Sequence, residues 1–398
     1  MNTRPPVAFS NTEFQRRIAL VRERMAHAGI DVLLVCDPSN INYLTGYDAA
    51  SYYIPQMAIL DLHGEEPLWV GRKMDVACAR YTAFMQEQNL IGYPESYIGV
   101  HDKHAMEFVA ELFRERGWAE LRIGVEMDTA PLTPRALDRL RHLLPRARFV
   151  DAELLVNHVR LIKSDAEIVY MRQAARISQR AMQVAFDIIE PGVRECDAAA
   201  RIMAALIGGT EEYAGHLTMQ GAFSMPSGER TSAPHLAWTE APFRSQQLTS
   251  IELGGCRYAY HAGLSRSFFL GSPPSELSYC ADVTLAGMSG VLERMRAGTT
   301  CGEVADHWNE ILKRAGLQKE SRIGYSIGIG YPLASWIDRA ASLQSGDATV
   351  MQPNMTFHII LGMWMDRWGF EVSETVRITD AMPEILADFP RALMVKPA

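Results

Sequence analysis

Cysteine is scarce in this chain: six cysteines are scattered among 398 residues, and no two of them form a Cys-x-x-Cys pair. A chain of this length can build its core without disulfide staples, and the spacing shows no zinc site made of paired cysteines. We therefore expect a reducing, cytoplasmic environment. The cysteines are Cys36, Cys78, Cys196, Cys256, Cys280 and Cys301.

Long apolar runs and an excess of positive charge are also missing. No segment reaches the ~18 uninterrupted apolar residues of a membrane span, and residues 1–10 lack the apolar centre of a secretion signal. The 39 Lys and Arg residues face 47 Asp and Glu residues, a net charge of −8. We therefore expect no nucleic-acid or membrane partner, and a small-molecule ligand instead.

Common catalytic and cofactor motifs give no strong match. There is no H-E-x-x-H zinc motif and no phosphate-binding loop. Residues 324–328 match the G-x-S-x-G nucleophile elbow, but the polar segment 319–322 precedes them and Pro332 follows, so the strand and helix that an elbow needs are not indicated. We predict a glycine-rich loop here, and no nucleotide cofactor.

The composition is that of a soluble globular protein, with 48% hydrophobic and 22% charged residues, and the length suggests two or three domains. Ser10–Glu13 form a capping-box pattern, and apolar residues then recur at helical spacing until Gly29. Short β-rich runs and further helical patterns alternate up to about residue 150. We predict an N-terminal α/β domain over residues 1–160.

The second part of the chain, residues 161–398, has a different pattern. A second capping box at Ser164–Glu167 begins a long helical pattern that stops near Pro191. Strand-like runs follow, with one further helix pair near residues 280–315, so this part is predicted to be an α+β domain. The predicted strands include residues 250–253, 258–260, 267–270, 356–365 and 371–378.

Polar residues cluster in the strand-like region. They are His235, Trp238, Glu252, Tyr260, His261 and Arg266. Glu252 stands between Ile251 and Leu253, and burying a carboxylate there is costly unless it is paired. It either faces solvent by ordinary strand alternation or has a functional role, and the two interpretations are about equally supported.

Several segments carry a family resemblance that covers nearly the whole chain. The chain resembles the creatinase/aminopeptidase P family, and within it most closely the ectoine hydrolases. This resemblance implies a small N-terminal α/β domain followed by a C-terminal α+β domain of the "pita-bread" type. The segments are residues 40–47, 160–164, 232–236, 242–245, 256–271, 356–358, 362–365 and 368–369.

Metal-dependent members of this family hold two metal ions with two Asp, one His and two Glu residues. The matching positions in this chain hold Glu252, Gly263, Tyr325, Ile360 and Ser373, with Glu374 beside the last. Four of the five residues rarely or never bind a divalent metal. The resemblance therefore implies a site without metal, and we predict no cofactor.

Without a metal as Lewis acid, an unactivated amide is a poor substrate, whereas a protonated amidine already carries positive charge on the carbon to be attacked. Resemblance to ectoine hydrolases implies opening of the cyclic amidine of ectoine to an N-acetylated 2,4-diaminobutyrate. The alternatives are a creatinase-like amidinohydrolase or a lyase acting on another small cationic carboxylate. An inactive relative that only binds a ligand is a further alternative.

On this hypothesis Glu252 attacks the amidinium carbon or positions it, and His235 acts as general acid and base, with His261 and Glu371 as second choices. Tyr325 and Trp364 are predicted to wall the pocket, although packing explains Trp364 equally well. The family's dimers imply that this chain is a homodimer with a shared active site. Further substrate-binding candidates are Tyr52 from the neighbouring subunit, Trp238, Arg266 or Arg244 for a substrate carboxylate, and Glu371.

The chain departs from ectoine hydrolases at three places near the expected pocket. Ala49-Ala50 stand where Gly and Trp are expected, Gly263 replaces a Pro, and residues 335–338 read Ser-Trp-Ile-Asp in place of Asp-Trp-Gly-Glu. The resemblance thus leaves open a substrate that differs from ectoine in size.

Overall fold

The computed structural model describes residues 8–216, 223–332 and 335–398. The chain divides into two compact units, one ending at Arg160 and the other beginning at Leu161, which is where the sequence analysis places its boundary. The cysteines are free. Among the described residues, none of the helices combines the length and the hydropathy needed to cross a membrane.

The N-terminal unit alternates helices and strands. The helices are α1 (Asn11–Ala28), α2 (Pro38–Thr45), α3 (Val76–Thr82), α4 (Ala105–Glu115), α5 (Pro134–Leu143) and α6 (Leu155–Arg160). The strands are β1 (Val32–Val35), β2 (Met57–Asp61), β3 (Leu68–Arg72), β4 (Leu90–Tyr93), β5 (Arg122–Val125) and β6 (Arg148–Asp151).

These strands form one mixed six-stranded sheet in the order β4-β3-β2-β1-β5-β6. The capping signals act as the sequence predicts: the Ser10 side chain accepts from the Glu13 amide, and Gly29 ends α1 in the left-handed conformation, φ 62°. Apolar residues of β1, β2 and β3 pack with those of α4 and α5 in one core. This unit is the predicted α/β domain.

The C-terminal unit begins with two helices, α7 (Asp165–Ile188) and α8 (Glu195–Gly208). Its other helices are α9 (Ser275–Arg294) and α10 (Cys301–Arg314). Its strands are β7 (Phe223–Ser224), β8 (Gln247–Arg257), β9 (Tyr260–Leu270), β10 (Gly324–Tyr331), β11 (Ser335–Ser342), β12 (Thr356–Trp364), β13 (Gly369–Arg377), β14 (Glu384–Ile385) and β15 (Met394–Lys396).

A nine-stranded sheet carries this unit, in the order β14-β13-β12-β10-β9-β8-β7, with β11 paired to β10 and β15 to β9. Both halves of the predicted capping box at Ser164 and Glu167 are present and begin α7. Helices α7 and α8 pack on β8 and β9, while α9 and α10 pack on β12 and β13. The predicted α+β class with a pita-bread C-terminal part is confirmed.

Strand alternation separates a face covered by helices from a second face. Ile251 and Leu253 of β8 pack with α7, so Glu252 between them points to the opposite side of the sheet. The same alternation on the neighbouring strands selects the residues that share this side. We call it the inner face, and define it by Glu252, His261, Gly263, Ser265, His358, Glu371 and Ser373.

Hydroxyl groups join β9 to β13 across the inner face. Ser373 Oγ accepts from the Ser265 amide at 2.6 Å, and Thr375 Oγ1 donates to the Gly263 carbonyl at 2.8 Å. Ser267 Oγ accepts from the Glu371 amide at 2.9 Å. We call these contacts the hydroxyl seam. Because a buried backbone group without a partner is costly, the seam fixes how the two strands approach each other.

Arg266 ties the same strands to the C-terminal segment. It is fully buried and makes an ion pair with Glu374, with Nη2 at 2.8 Å from Oε1. Its remaining N–H groups donate to backbone carbonyls, so all five donors of the guanidinium are used inside the protein. The carbonyls belong to Ser265, Ser373, Phe389 and Pro390.

The prediction of a glycine-rich loop at residues 324–328 is wrong, because these residues begin the buried strand β10. The glycines permit close approaches in place of turns. A Cβ on Gly324 would lie 2.5 Å from the His358 carbonyl, and one on Gly328 would lie 3.0 Å from Asp338, which forms a buried ion pair with Lys163. Ser326 is therefore a strand residue rather than a nucleophile on an elbow.

We expect the Arg266→Ala variant to lower the free energy of unfolding by roughly 3–5 kcal/mol, because it leaves the Glu374 carboxylate buried without its partner. The matched control is Arg391→Ala, since Arg391 approaches the same carboxylate at 3.8 Å from an exposed position. That variant should cost no more than about 1 kcal/mol. Urea unfolding of both variants measures the difference, and equal losses would contradict the structural role of Arg266.

Candidate active site

Glu252 lies near the middle of the inner face, on β8 opposite Ser265 of β9. Only 13% of its side chain is exposed. Burial raises the pKa of this carboxyl well above its usual value, and repulsion from Glu371 raises it further. Both effects favour the protonated form of Glu252, and a positive charge entering the site would favour the ionised form. The side chain is thus mostly buried and does not face solvent, while the catalytic role of Glu252 stays a prediction.

Glu371 of β13 is the second carboxyl group of the inner face. Its Oε1 accepts from Ser265 Oγ at 2.9 Å. Burial raises its pKa to about 7, while the Ser265 hydrogen bond and the charge of Lys319 act in the opposite direction. Burial in turn lowers the pKa of Lys319 to about 8, opposed by Glu371. The two groups are thus mutually stabilised in their charged forms.

His358 of β12 lies between these carboxyls and the hydroxyl seam. Its Nε2 is 2.8 Å from Ser373 Oγ, and its Nδ1 is 3.8 Å from Glu252 Oε1. Because Ser373 Oγ already accepts the Ser265 amide, its own proton can be donated to Nε2, which places the ring proton on Nδ1 facing Glu252. Burial lowers the pKa of His358 to about 3, so the ring is neutral.

Two glycines make room for aromatic rings on the inner face. A Cβ on Gly263 would lie 2.4 Å from the ring of His358, and a Cβ on Gly254 would lie 2.1 Å from the ring of Trp336. Both rings therefore rest directly on the strand backbone. The imidazole of His358 fills the space that any side chain at position 263 would need.

Tyr325 closes this part of the site. Its hydroxyl accepts from Trp336 Nε1 at 3.0 Å and lies 3.4 Å from His358 Nδ1. Burial raises the pKa of Tyr325, so it is a neutral phenol. The structure thus places Tyr325 beside Glu252 and His358, as a wall residue would be.

His261 shares the inner face but has a different environment. It is fully buried, and its Nδ1 donates to the Ala259 carbonyl at 2.8 Å. That bond leaves Nε2 as an acceptor, and Nε2 has no hydrogen-bond partner among the described residues. Burial lowers the pKa of His261 to about 4. The centroid of the His261 ring lies 5.8 Å from that of Trp336. An acceptor without a hydrogen-bond partner among the described residues therefore lies near the residues around Glu252 and His358.

The structure contradicts the predicted binding of a substrate carboxylate by Arg266. All of its donors are used by Glu374 and backbone carbonyls, so none remains for a ligand. The other candidate, Arg244, is exposed and lines a groove at one end of the sheet. Trp364 lines the same groove and packs on Gly362, whose Cβ would lie 2.3 Å from its ring.

The remaining candidates lie outside the buried group of residues around Glu252, Tyr325 and His358. His235 and Trp238 belong to an exposed loop after a short 3₁₀ helix, and Trp238 packs against Phe223 with ring centroids 5.2 Å apart. Tyr52 is half-buried in the N-terminal unit. The predicted roles of these three residues stay predictions.

Several residues of the cluster were not selected from the sequence. His358 lies in a segment that matches the family pattern, and Trp336 lies in one that departs from it. Membership of these segments is the sequence signal that both residues border the site. Ser265 and Ser373 gave no signal, because an isolated serine in a strand is common. The sequence around Lys319 indicates a polar loop. In the structure its Nζ donates to the Gly362 carbonyl at 2.6 Å.

The five positions that the resemblance assigns to metal ligands do not provide a matching donor set here. Gly263 and Ile360 have no donor atom, and the hydroxyls of Tyr325 and Ser373 are engaged by protein groups. Glu252 is the one carboxylate at these positions. Over the described ranges, no group of three or more His, Cys, Asp and Glu residues is placed to hold a metal ion.

Comparison with known proteins identifies related sequences over the full length. An ectoine hydrolase of Halomonas elongata is 39% identical over 395 residues, covering 98% of each chain. An uncharacterised hydrolase/peptidase of Sinorhizobium fredii is also 39% identical, over 388 residues and 98% of each chain.

Solved structures share the fold. The crystal structure of dipeptidase PepE from Mycobacterium ulcerans has a TM-score of 0.81 and 20% identity, covering 98% of this chain and all of that one. This likeness shows the architecture alone.

Family models agree with both units. The creatinase/prolidase N-terminal domain matches residues 17–162, and metallopeptidase family M24 matches residues 169–380. The resemblance inferred from the motifs is thereby confirmed. The chain belongs to metallopeptidase family M24 and carries the N-terminal domain of creatinases and prolidases.

Proposed function

We propose that this protein is a hydrolase that opens the cyclic amidine of ectoine, or of a close relative, and that it does so without a metal. The observation that carries the proposal is the buried carboxyl pair of Glu252 and Glu371, whose pKa values are both raised. Two carboxyls sharing a dry site favour a cationic ligand, because the ligand's charge replaces a proton. The 39% identity to an ectoine hydrolase supports the same substrate class.

The roles divide among the residues of the inner face. The amidinium cation enters beside Glu252 and Glu371 and favours their ionised forms. Glu252 then acts at the amidinium carbon, either forming the bond itself or taking a proton from the attacking water. One ring C–N bond breaks, the leaving nitrogen gains a proton, and one water molecule is added in total. The open acceptor of His261 suits an N–H or O–H group of the reacting species.

Metal independence is supported by the donor set. Family M24 is named for metallopeptidases, but the resemblance described above places Gly263, Ile360, Tyr325 and Ser373 at four of the five positions expected to hold metal ligands. An amidinium carbon needs no Lewis acid to become electrophilic, whereas a peptide carbonyl does. The proposal includes a cytoplasmic location and a homodimer in which Tyr52 reaches the neighbouring site.

We expect purified protein to convert ectoine at a rate that chelation does not change, because none of the proposed steps needs a metal ion. Product formation with and without prior EDTA treatment, followed by chromatography and mass spectrometry, measures this. Activity that is lost on chelation and restored by a divalent metal would overturn metal independence. No turnover in either sample would overturn the substrate.

We expect Glu252→Gln to lower kcat by about 10²- to 10⁴-fold, since the amide can neither attack nor accept a proton. The fold should persist, because glutamine has nearly the same shape as the protonated glutamic acid and is also uncharged. The control is Glu293→Gln, an exposed residue of α9. Steady-state kinetics and circular dichroism test both variants, and near-native turnover of the Glu252 variant would refute the role.

We expect kcat/KM for ectoine to rise as the pH increases through about 7, because Glu371 must lose its proton to hold the cation. Below this pKa the protonated carboxyl gives no charge to the pair. The groups facing Glu371 are Ser265, Lys319 and Glu252. Because Glu252 and Glu371 interact, the rise of kcat/KM with pH reports the titration of the carboxyl pair. A profile of kcat/KM that is flat between pH 5.5 and 8 would contradict this assignment.

A further inference from the structure

Lys319 lies near Glu371 of the inner face and near Trp364, which lines a groove that the proposed chemistry does not use. It lies in the loop between α10 and β10, and its Nζ donates to the Gly362 carbonyl at 2.6 Å. Gly362 is the register partner of Glu371, so the ammonium group is held beside that carboxyl. The same Nζ lies 5.7 Å from the ring centroid of Trp364.

The groove has a volume of about 990 Å³. Leu248 and Phe269, which line it, are register partners and lie on the same face of β8 and β9 as Glu252 and Ser265. Trp364 lines it from β12, one same-face position beyond Gly362. Trp364 therefore borders the groove on one side and contacts Lys319 on the other.

The charges of the site are complementary to a zwitterion. Glu252 and Glu371 provide two carboxyl groups for a cation, and Lys319 provides a positive charge next to Glu371. Among the described residues, the Gly362 carbonyl is the hydrogen-bond acceptor of Lys319, so two of the three ammonium N–H groups can bind an anion. Arg266 cannot serve, because its donors are used internally.

We propose that Lys319 binds the carboxylate of the substrate, so that the site recognises an amidinium and a carboxylate on one small molecule. Trp364 packs beside the ammonium group and limits how far the substrate can move toward the groove. The inference rests on the proposed function, which it extends by assigning a specificity-determining residue. It predicts that removal of the Lys319 ammonium group also removes the preference for a substrate with a carboxylate over one without.

The test compares two substrates: ectoine and 2-methyl-1,4,5,6-tetrahydropyrimidine, which is the same cyclic amidine without the carboxylate. For Lys319→Met we expect kcat/KM for ectoine to fall by about 10- to 100-fold, the usual size of a lost charged hydrogen bond. For the carboxylate-free ring we expect a change of less than about threefold. Lys319→Arg should keep part of the preference for ectoine, since it keeps the charge.

The matched control is Lys313→Met, an exposed lysine in the last turn of α10, which should leave both substrates unaffected. Equal losses for both substrates in the Lys319 variant would overturn the inference, because they would mean that Lys319 acts through Glu371 or the fold. Lys319→Gln replaces the Met variant if that variant does not fold.

The wild-type enzyme gives an independent readout. If it opens the carboxylate-free ring as efficiently as ectoine, the inference is wrong while the proposed function stands. If it opens neither compound, the proposed function fails, and the inference fails with it.

Discussion

The hydroxyl of Ser373 connects the fold to the chemistry of the site. It accepts the Ser265 amide and so belongs to the seam that joins β9 to β13, and it also lies against Nε2 of His358. A hydroxyl can accept one bond and donate another, which is what both contacts need. The position of the imidazole, and with it the proton that faces Glu252, therefore depends on how the two strands are joined.

The buried carboxyl groups of this unit divide into two kinds. Glu374 has a full partner in Arg266, and that pair stabilises the packing of the C-terminal segment. Glu252 and Glu371 have no such guanidinium; burial raises the pKa of both, and the charge of Glu371 adds to the cost of ionising Glu252. Two buried carboxyl groups without a cationic partner of this kind lower the stability of the protein. A bound cation offsets that loss, so the pair is better explained by binding than by stability.

Much of the fold could be predicted from local signals. The capping box before α7 and the Ser10 cap of α1 each lie within four residues, and alternation identified most of the strands around Glu252 and Glu371. The loop prediction for residues 324–328 is wrong because glycine occurs both in turns and where neighbouring groups approach the backbone closely. Here the neighbouring strand and the ion pair between Lys163 and Asp338 show that these glycines permit close approach.

The site was harder to predict, because its contacts are distant in sequence. Four of the five acceptors of Arg266 lie more than a hundred residues away, so the sequence around Ser265 and Ser267 does not show that its donors are used. Lys319 stands among polar residues that look like a solvated loop, and its neighbour Gly362 follows many residues later. The family pattern identified the positions of Glu252 and Tyr325, but it could not give the environment that shifts their pKa values.

The contact between Gly263 and His358 also constrains how such a site can change during evolution. An Asp introduced at position 263 would collide with the imidazole ring, since even a Cβ there would lie 2.4 Å from it. A lineage returning to a metal-binding site would first have to replace His358 with a smaller residue, and only then gain the carboxylate. The order of the two substitutions is thus set by steric exclusion, so the loss of the ligand at this position is hard to reverse by single steps.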